Sequence, residues 1–292
     1  MEYGIQLYSV RDAAEQNFGK TLETLAKMGY THMEFDEFFG HSAQEVKTML
    51  EHNGLKVSGA HINLPFLDDD FDGMVKYHRA IGNNRFIVVG TRFKNTELLS
   101  KLIADLNKYQ KMLAEEGFEL CLHNHHKEFL PNLDGQIPMK ELWENTGIGF
   151  EIDTYWAYIA GKDPVKVLEA MKDRVPLIHL KDGDENSRGF SLGSGTAPVA
   201  QVREKAMELG MHIVVESEGL EPDGLSEVGR CMDWLKSLKN EARKREHLSP
   251  FYRRGTFLPG HQIGIYLTVT TKVCHFERAA GESRNLRLWF TF

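Results

Sequence analysis

The chain has 292 residues, 41% hydrophobic and 26% charged, the composition of an ordinary globular protein and long enough for one large α/β domain with a buried core. No apolar run approaches the roughly 18 residues of a membrane span, and the opening MEYGIQLYSV has neither the basic region nor the cleavage site of a secretory leader. The net charge of −7 is uneven: residues 239–292 carry 10 Lys+Arg against 4 Asp+Glu, leaving 25 against 38 in the first 238 residues. An acidic main domain argues against nucleic acid as a partner, because phosphate binding needs a basic face. It suits a metal and a small neutral sugar. Cys121, Cys231 and Cys274 are odd in number and far apart, so they form neither a disulfide framework nor a zinc ribbon, and the expected compartment is a reducing cytoplasm.

In chain order, short apolar runs alternate with helical stretches eight times. The strands are expected at 3–9, 31–36, 55–62, 85–90, 118–124, 147–153, 175–180 and 211–216. Between them, FGKTLETLAKM reads as a helix capped by Gly29, and Ser42 with Glu45 three residues on reads as a capping box. Asp68–Asp70 is expected to open a helix, where negative charge suits the helix dipole. A long helix spans about Thr96 to Glu116, and the last runs from about Leu225 to Leu238. Strand–helix alternation means βαβ units and a parallel sheet. Eight rounds in about 240 residues fit a closed (β/α)₈ TIM barrel. An open doubly wound sheet would want a glycine-rich phosphate loop after the first strand, and QLYSVRDAAEQ has none. Residues 1–238 are therefore read as the barrel. Residues 239–292 are read as a poorly ordered basic C-terminal extension, irregular in period, with a basic arm toward a partner or oligomer neighbour as the alternative.

The active end of such a barrel is the C-terminal end of its strands. Four consecutive runs end there in metal-competent side chains: His123 after Leu120–Leu122, Asp153 after Phe150–Ile152, His179 within Pro176–Leu180 and Glu216 after Ile213–Val215. Taken singly, Asp153 could be a helix N-cap and His179 a core histidine. Taken together, they form an oxygen and imidazole set for one divalent ion (Mn, Mg, Co or Zn). Lys181 shares a strand face with His179 by period-2 alternation and could reach the mouth. Trp156 offers an aromatic face for a sugar ring. Gln6, Glu34 and His61 lie at or near the ends of the first three strands and are candidates for sugar hydroxyls. GSGT at 193–196 lacks the following Gly-Lys-Ser/Thr of a phosphate loop and is assigned to shaping the loop after strand seven. His32, His41, His52 and His78 are expected at the surface.

The motifs HNHHKEF, EIDTYWAYIAGKDP, PLIHLKD, SLGSGTAPV and VVESEG, in this order, resemble the xylose-isomerase-like TIM-barrel superfamily, in particular its sugar phosphate isomerase/epimerase branch. The superfamily also holds inosose dehydratase-type enzymes and ketose epimerases. The resemblance covers nearly all of residues 3–238 and implies that Asp153, His179 and Glu216 are metal ligands. Its fifth strand ends in Leu-Glu-Asn-His, whereas this chain reads Leu122-His123-Asn124-His125, so His123 stands where a carboxylate ligand would be. An imidazole there cannot act as the carboxylate base of a paired-Glu epimerisation, so either His125 or Glu128 is expected to take over proton transfer, or the reaction differs.

The chemistry implied is abstraction of the proton beside a carbonyl, giving a metal-stabilised enediolate. Reprotonation gives a sugar isomerase or epimerase. Loss of a β-hydroxyl gives a keto-sugar or keto-inositol dehydratase, a lyase. A non-catalytic sugar-binding subunit is the alternative from another class. The expected partner is a sugar or keto-sugar, with no nucleic acid and no membrane, and a homo-oligomer stays open.

Overall fold

The computed structural model describes residues 2–252. Eight parallel strands close a barrel: β1 Gly4–Gln6, β2 His32–Phe35, β3 Lys56–Ile62, β4 Arg85–Val88, β5 Glu119–His123, β6 Gly149–Asp153, β7 Leu177–Leu180 and β8 His212–Val215. Each pairs with its sequence neighbours, and β1 pairs with β8. The TIM barrel expected from the alternating runs is therefore present. The largest shortening is in β1, where the backbone turns into a 3₁₀ segment at Leu7–Val10. Gln6 starts that turn, its side-chain oxygen accepting the Tyr8 N–H at 3.0 Å.

Local signals account for several helix ends. Phe18–Met28 stops at Gly29, whose φ of 109° only glycine adopts without strain. Ser42 and Glu45 close a reciprocal capping box on Ala43–Asn53. Of the acidic run, only Asp70 caps the main helix Phe71–Ala80, by accepting the Gly73 N–H, while Asp68 and Asp69 belong to a short helix, Pro65–Asp69. His78 is buried rather than exposed. It lies three residues after Val75 on the inward stripe of that helix and faces Asn83 Nδ2 at 3.0 Å.

The barrel unit ends at Leu235. The last helix runs Gly224–Tyr252, so the boundary expected at Leu238 falls inside a continuous helix. KNEARKREHL supplies helix formers and no glycine or proline to stop it. The expectation for residues 253–292 lies outside the described residues.

Below the active end, Ile87, Cys121, Leu177 and Val214 form one buried cluster from β4, β5, β7 and β8. Glycines make room for it: a Cβ at Gly149 would lie 2.6 Å from Cys121 Sγ, and one at Gly59 2.5 Å from Ile87 Cδ1. Two residues beyond Cys121, Leu177 and Val214 come His123, His179 and Glu216. Strand alternation puts each pair on one face, so this apolar plug is the floor on which the polar layer stands. Leu177→Ala should leave a cavity in that floor and lower stability by about 2–5 kcal/mol, measured by urea denaturation.

Candidate metal centre and active end

His123 and Asp153 end β5 and β6, and the side chain between them in function is Asn124. Its Oδ1 accepts the Asp153 N–H at 3.1 Å and its Nδ2 donates to the Asp153 carbonyl at 3.2 Å. This clamp ties the two strand ends together. Asp153 then divides its carboxylate. Oδ1 accepts the Trp156 N–H at 2.9 Å and caps the helix Thr154–Ile159, while Oδ2 is buried without a partner. The cap and ligand readings of Asp153 are thus compatible, one oxygen for each. Burial pushes its carboxyl up to about 7, a state that a cation beside Oδ2 would reverse.

His179 is fully buried, and its two ring nitrogens face opposite ways. Nδ1 lies 3.3 Å from Glu216 Oε2 and has no hydrogen-bond partner, whereas Nε2 lies 2.6 Å from Glu34 Oε1. Donor atoms of His123, Asp153, His179 and Glu216 all lie within 4.8 Å of one another. The four sequence-derived ligands are therefore brought together. The two orphaned atoms, Asp153 Oδ2 and His179 Nδ1, are the buried donors a divalent ion would satisfy, so the residues fit the group. A second set, His61, His123, Glu151 and His179, meets the same distance test.

The other sequence candidates fall into two layers. Lys181 is 1% exposed, its ammonium 3.1 Å from Glu216 Oε2, 2.5 Å from Glu218 Oε2 and 4.8 Å above the Trp156 ring. Burial alone would lower its pKa; the Glu216, Asp153 and Glu218 carboxylates outweigh that and hold it above the ordinary value. His125 is exposed, its ring edge-on to His123 and 5.6 Å from Trp156. Lys181, Trp156 and His125 thus line the upper layer. Gln6 and Glu34 lie in the lower one. Both are fully buried, and Gln6 donates to Glu34 at 2.8 Å. His61 joins them, 3.1 Å from Glu34 and 3.0 Å from Glu151. Burial would lower the pKa of His61, but the two carboxylates raise it to about 10.

Glu128 lies in neither ligand set. Its Oε2 accepts the His125 N–H at 2.9 Å and closes the turn His126–Phe129. Sequence reasoning missed Glu151, Asn124 and Glu218. Glu151 had a readable signal, since it precedes Asp153 by two and so shares its face. The GSGT segment cradles a carboxylate of the chain itself: the Gly193 and Gly195 N–H groups both donate to Asp182 Oδ2 at 2.9 Å.

Closed parallel barrel and strand-end donors define a TIM-barrel protein with a candidate divalent-metal centre. The profile of the xylose isomerase-like TIM barrel family matches residues 22–238, and the chain belongs to that family. A curated inosose dehydratase of Mesomycoplasma hyopneumoniae is 22% identical over 187 residues, 57% of this chain and 62% of that protein's length, so the match spans less than two thirds of the relative. Among solved structures, a sugar phosphate isomerase/epimerase from Parabacteroides distasonis aligns with a TM-score of 0.70 at 24% identity, covering 80% of this chain and 93% of that one. An L-ribulose 3-epimerase aligns at 0.64 and 16% identity over 89% and 100%. A probable 3-DHS dehydratase from Bacillus anthracis aligns at 0.64 and 10% identity over 81% and 99%. At these identities the structural likeness establishes the fold. Among the described residues, no helix is long and apolar enough to cross a membrane.

Burial raises the Glu128 carboxyl to about 7. An acid whose folded pKa exceeds its unfolded value of about 4.3 binds more protons folded, so it removes stability as pH rises between the two values. Glu128→Gln can still accept the His125 N–H. It should match the wild type near pH 4 and exceed it above pH 7, by on the order of 3 kcal/mol at most, in urea denaturation at stepped pH. Its metal content should not change.

Proposed function

We propose that this barrel is a divalent-metal-dependent sugar isomerase or epimerase that moves a proton beside a substrate carbonyl. The observation that carries the reading is the convergence of His123, Asp153, His179 and Glu216 within 4.8 Å at the active end, with Asp153 Oδ2 and His179 Nδ1 buried and unpartnered. These four would hold the ion, which when bound supplies Lewis acidity toward a carbonyl and its neighbouring hydroxyl.

The chain's own groups do the rest. Trp156 gives a half-buried aromatic wall against which a sugar face can stack. Lys181, held cationic by Glu216 and Glu218, is the donor for a substrate oxygen that gains negative charge. His125, exposed beside Trp156 and free of side-chain bonds to the ligand carboxylates, is placed to take and return the carbon-bound proton. Glu128 acts through His125, by fixing the backbone of the turn that carries it.

A second reading has its own support. His123 stands at the end of β5, so that strand end offers an imidazole rather than a carboxylate to pair with Glu216. An imidazole base with an ammonium acid suits expulsion of a β-hydroxyl, the chemistry of a dehydratase acting on a keto-sugar or keto-inositol. The likeness to the mycoplasma inosose dehydratase points the same way. A sugar-binding subunit without turnover would need neither Lys181 nor His125 at the mouth.

Metal analysis of the purified protein, followed by incubation in D₂O with ketoses and keto-inositols, tests these readings. Bound divalent ion with deuterium entering beside a carbonyl, and an isomeric product, is the expected result. Deuterium entry with loss of water from the substrate would favour the dehydratase. No exchange with any compound, despite bound metal and sugar, would sink both enzymatic readings.

A further inference from the structure

Beneath the proposed catalytic ion, β2, β3, β5 and β6 bring a second group of donors into the barrel axis. Glu34 and Glu151 are 0% exposed. Two carboxylates at that depth need compensating positive charge, and the neutral Gln6 amide supplies none. Protonated imidazoles supply part of it, but they reach only some of the carboxylate oxygens. The nitrogens His61 Nε2, His123 Nδ1 and His179 Nε2 crowd a single oxygen, Glu151 Oε2, at 3.0, 3.2 and 3.2 Å. One carboxylate oxygen offers about two lone-pair sites. Meanwhile Glu151 Oε1 and Glu34 Oε2 are buried with no partner at all. Hydrogen bonds from His61 and His123 thus fill Glu151 Oε2, His179 Nε2 bonds Glu34 Oε1 instead, and two carboxylate oxygens are left bare.

Donor separations of this size are what ligands about 2.1 Å from one centre give along the edges of their polyhedron. His179 is not needed for it. Its Nε2 is closer to Glu34 Oε1, at 2.6 Å, and its Nδ1 faces Glu216, so it serves the outer ion while Glu34 orients it. We propose a second, inner divalent-cation site built from His61 Nε2, His123 Nδ1, Glu151 and Glu34. Two imidazoles and two carboxylates without a thiolate suit Zn²⁺, Mn²⁺, Co²⁺ or Fe²⁺ better than Ca²⁺ or Mg²⁺. The assignment gives His123 to the inner ion, which leaves Asp153, His179 and Glu216 on the outer one, three ligands with room for substrate oxygens. Only this division of His123 and His179 rests on the function proposed above.

The test is a titration of the full-length, chelator-stripped protein with Co²⁺ alone, counting bound equivalents after desalting and following the cobalt absorption bands. Wild type should take two equivalents, and His61→Gln and Asp153→Asn one each. Glu34→Gln, which can still accept the hydrogen from His179, is the second inner variant should His61→Gln fail to fold, as judged by its melting transition. One equivalent in the wild type, kept by His61→Gln and lost by Asp153→Asn, overturns the inner site and leaves the outer reading intact. One equivalent kept by Asp153→Asn and lost by His61→Gln supports the inner site and sinks the outer one. No bound cobalt in the wild type overturns both.

Discussion

Two fully buried carboxylates, Glu34 and Glu151, set the terms for the rest of the active end. Each is fully enclosed by the barrel, and each is surrounded by imidazole nitrogen: His61 touches both, His179 touches both, and His123 touches Glu151. Burial by itself would raise the Glu151 pKa; the histidines hold it well below the ordinary carboxylate range. The same partnership holds the His179 pKa above its ordinary value against the opposing cost of burial. Charge in this layer is therefore conserved as a group. Removing one member leaves an uncompensated ion where nothing can solvate it, which costs far more than the loss of a single hydrogen bond.

That layer can exist only because an apolar one lies below it. The plug of Ile87, Cys121, Leu177 and Val214 packs an apolar layer into the barrel interior. Its residues sit two positions before the ligands on β5, β7 and β8, so the parallel register that stacks the plug also stacks the site. The pairing of Asp153 with His179, and of His179 with Val214, fixes the ligand heights relative to one another. A slip of one residue in any of these strands would turn a ligand outward toward the helices. Stability and site geometry are here the same constraint.

This explains which parts were legible in the sequence. Apolar runs ending in His123, Asp153, His179 and Glu216 announce both the strands and the upper donors, because a polar residue ending a buried strand is conspicuous. Depth along the barrel axis is not conspicuous. Gln6, Glu34 and His61 are far apart in one dimension, but closure of the barrel brings them together, Gln6 and His61 both against Glu34. Glu151 hides inside an apolar run, although its spacing of two from Asp153 gives its face. Asn124 and Glu218 are visible only as partners of groups on other elements, Asp153 and Lys181. GSGT was legible as a loop-shaping segment rather than a phosphate loop, but its partner was not: its backbone amides gather the side chain of Asp182, thirteen residues before Gly195 in the same chain.

The upper layer has a direction. On the side of β6 and β7, Lys181, Trp156 and His125 stand together, one cation, one aromatic ring and one exposed imidazole. Lys181 is held by carboxylates on two sides, so its charge is already compensated and it adds little net attraction for an anionic substrate. A hydroxyl or carbonyl oxygen can still accept one of its hydrogens at small electrostatic cost. A phosphate dianion would have to compete with Glu216 and Glu218 for the same ammonium while lying near both. Under the function proposed above, the carboxylates around Lys181 would disfavour a substrate phosphate at that ammonium, in keeping with the acidic balance of the first 238 residues.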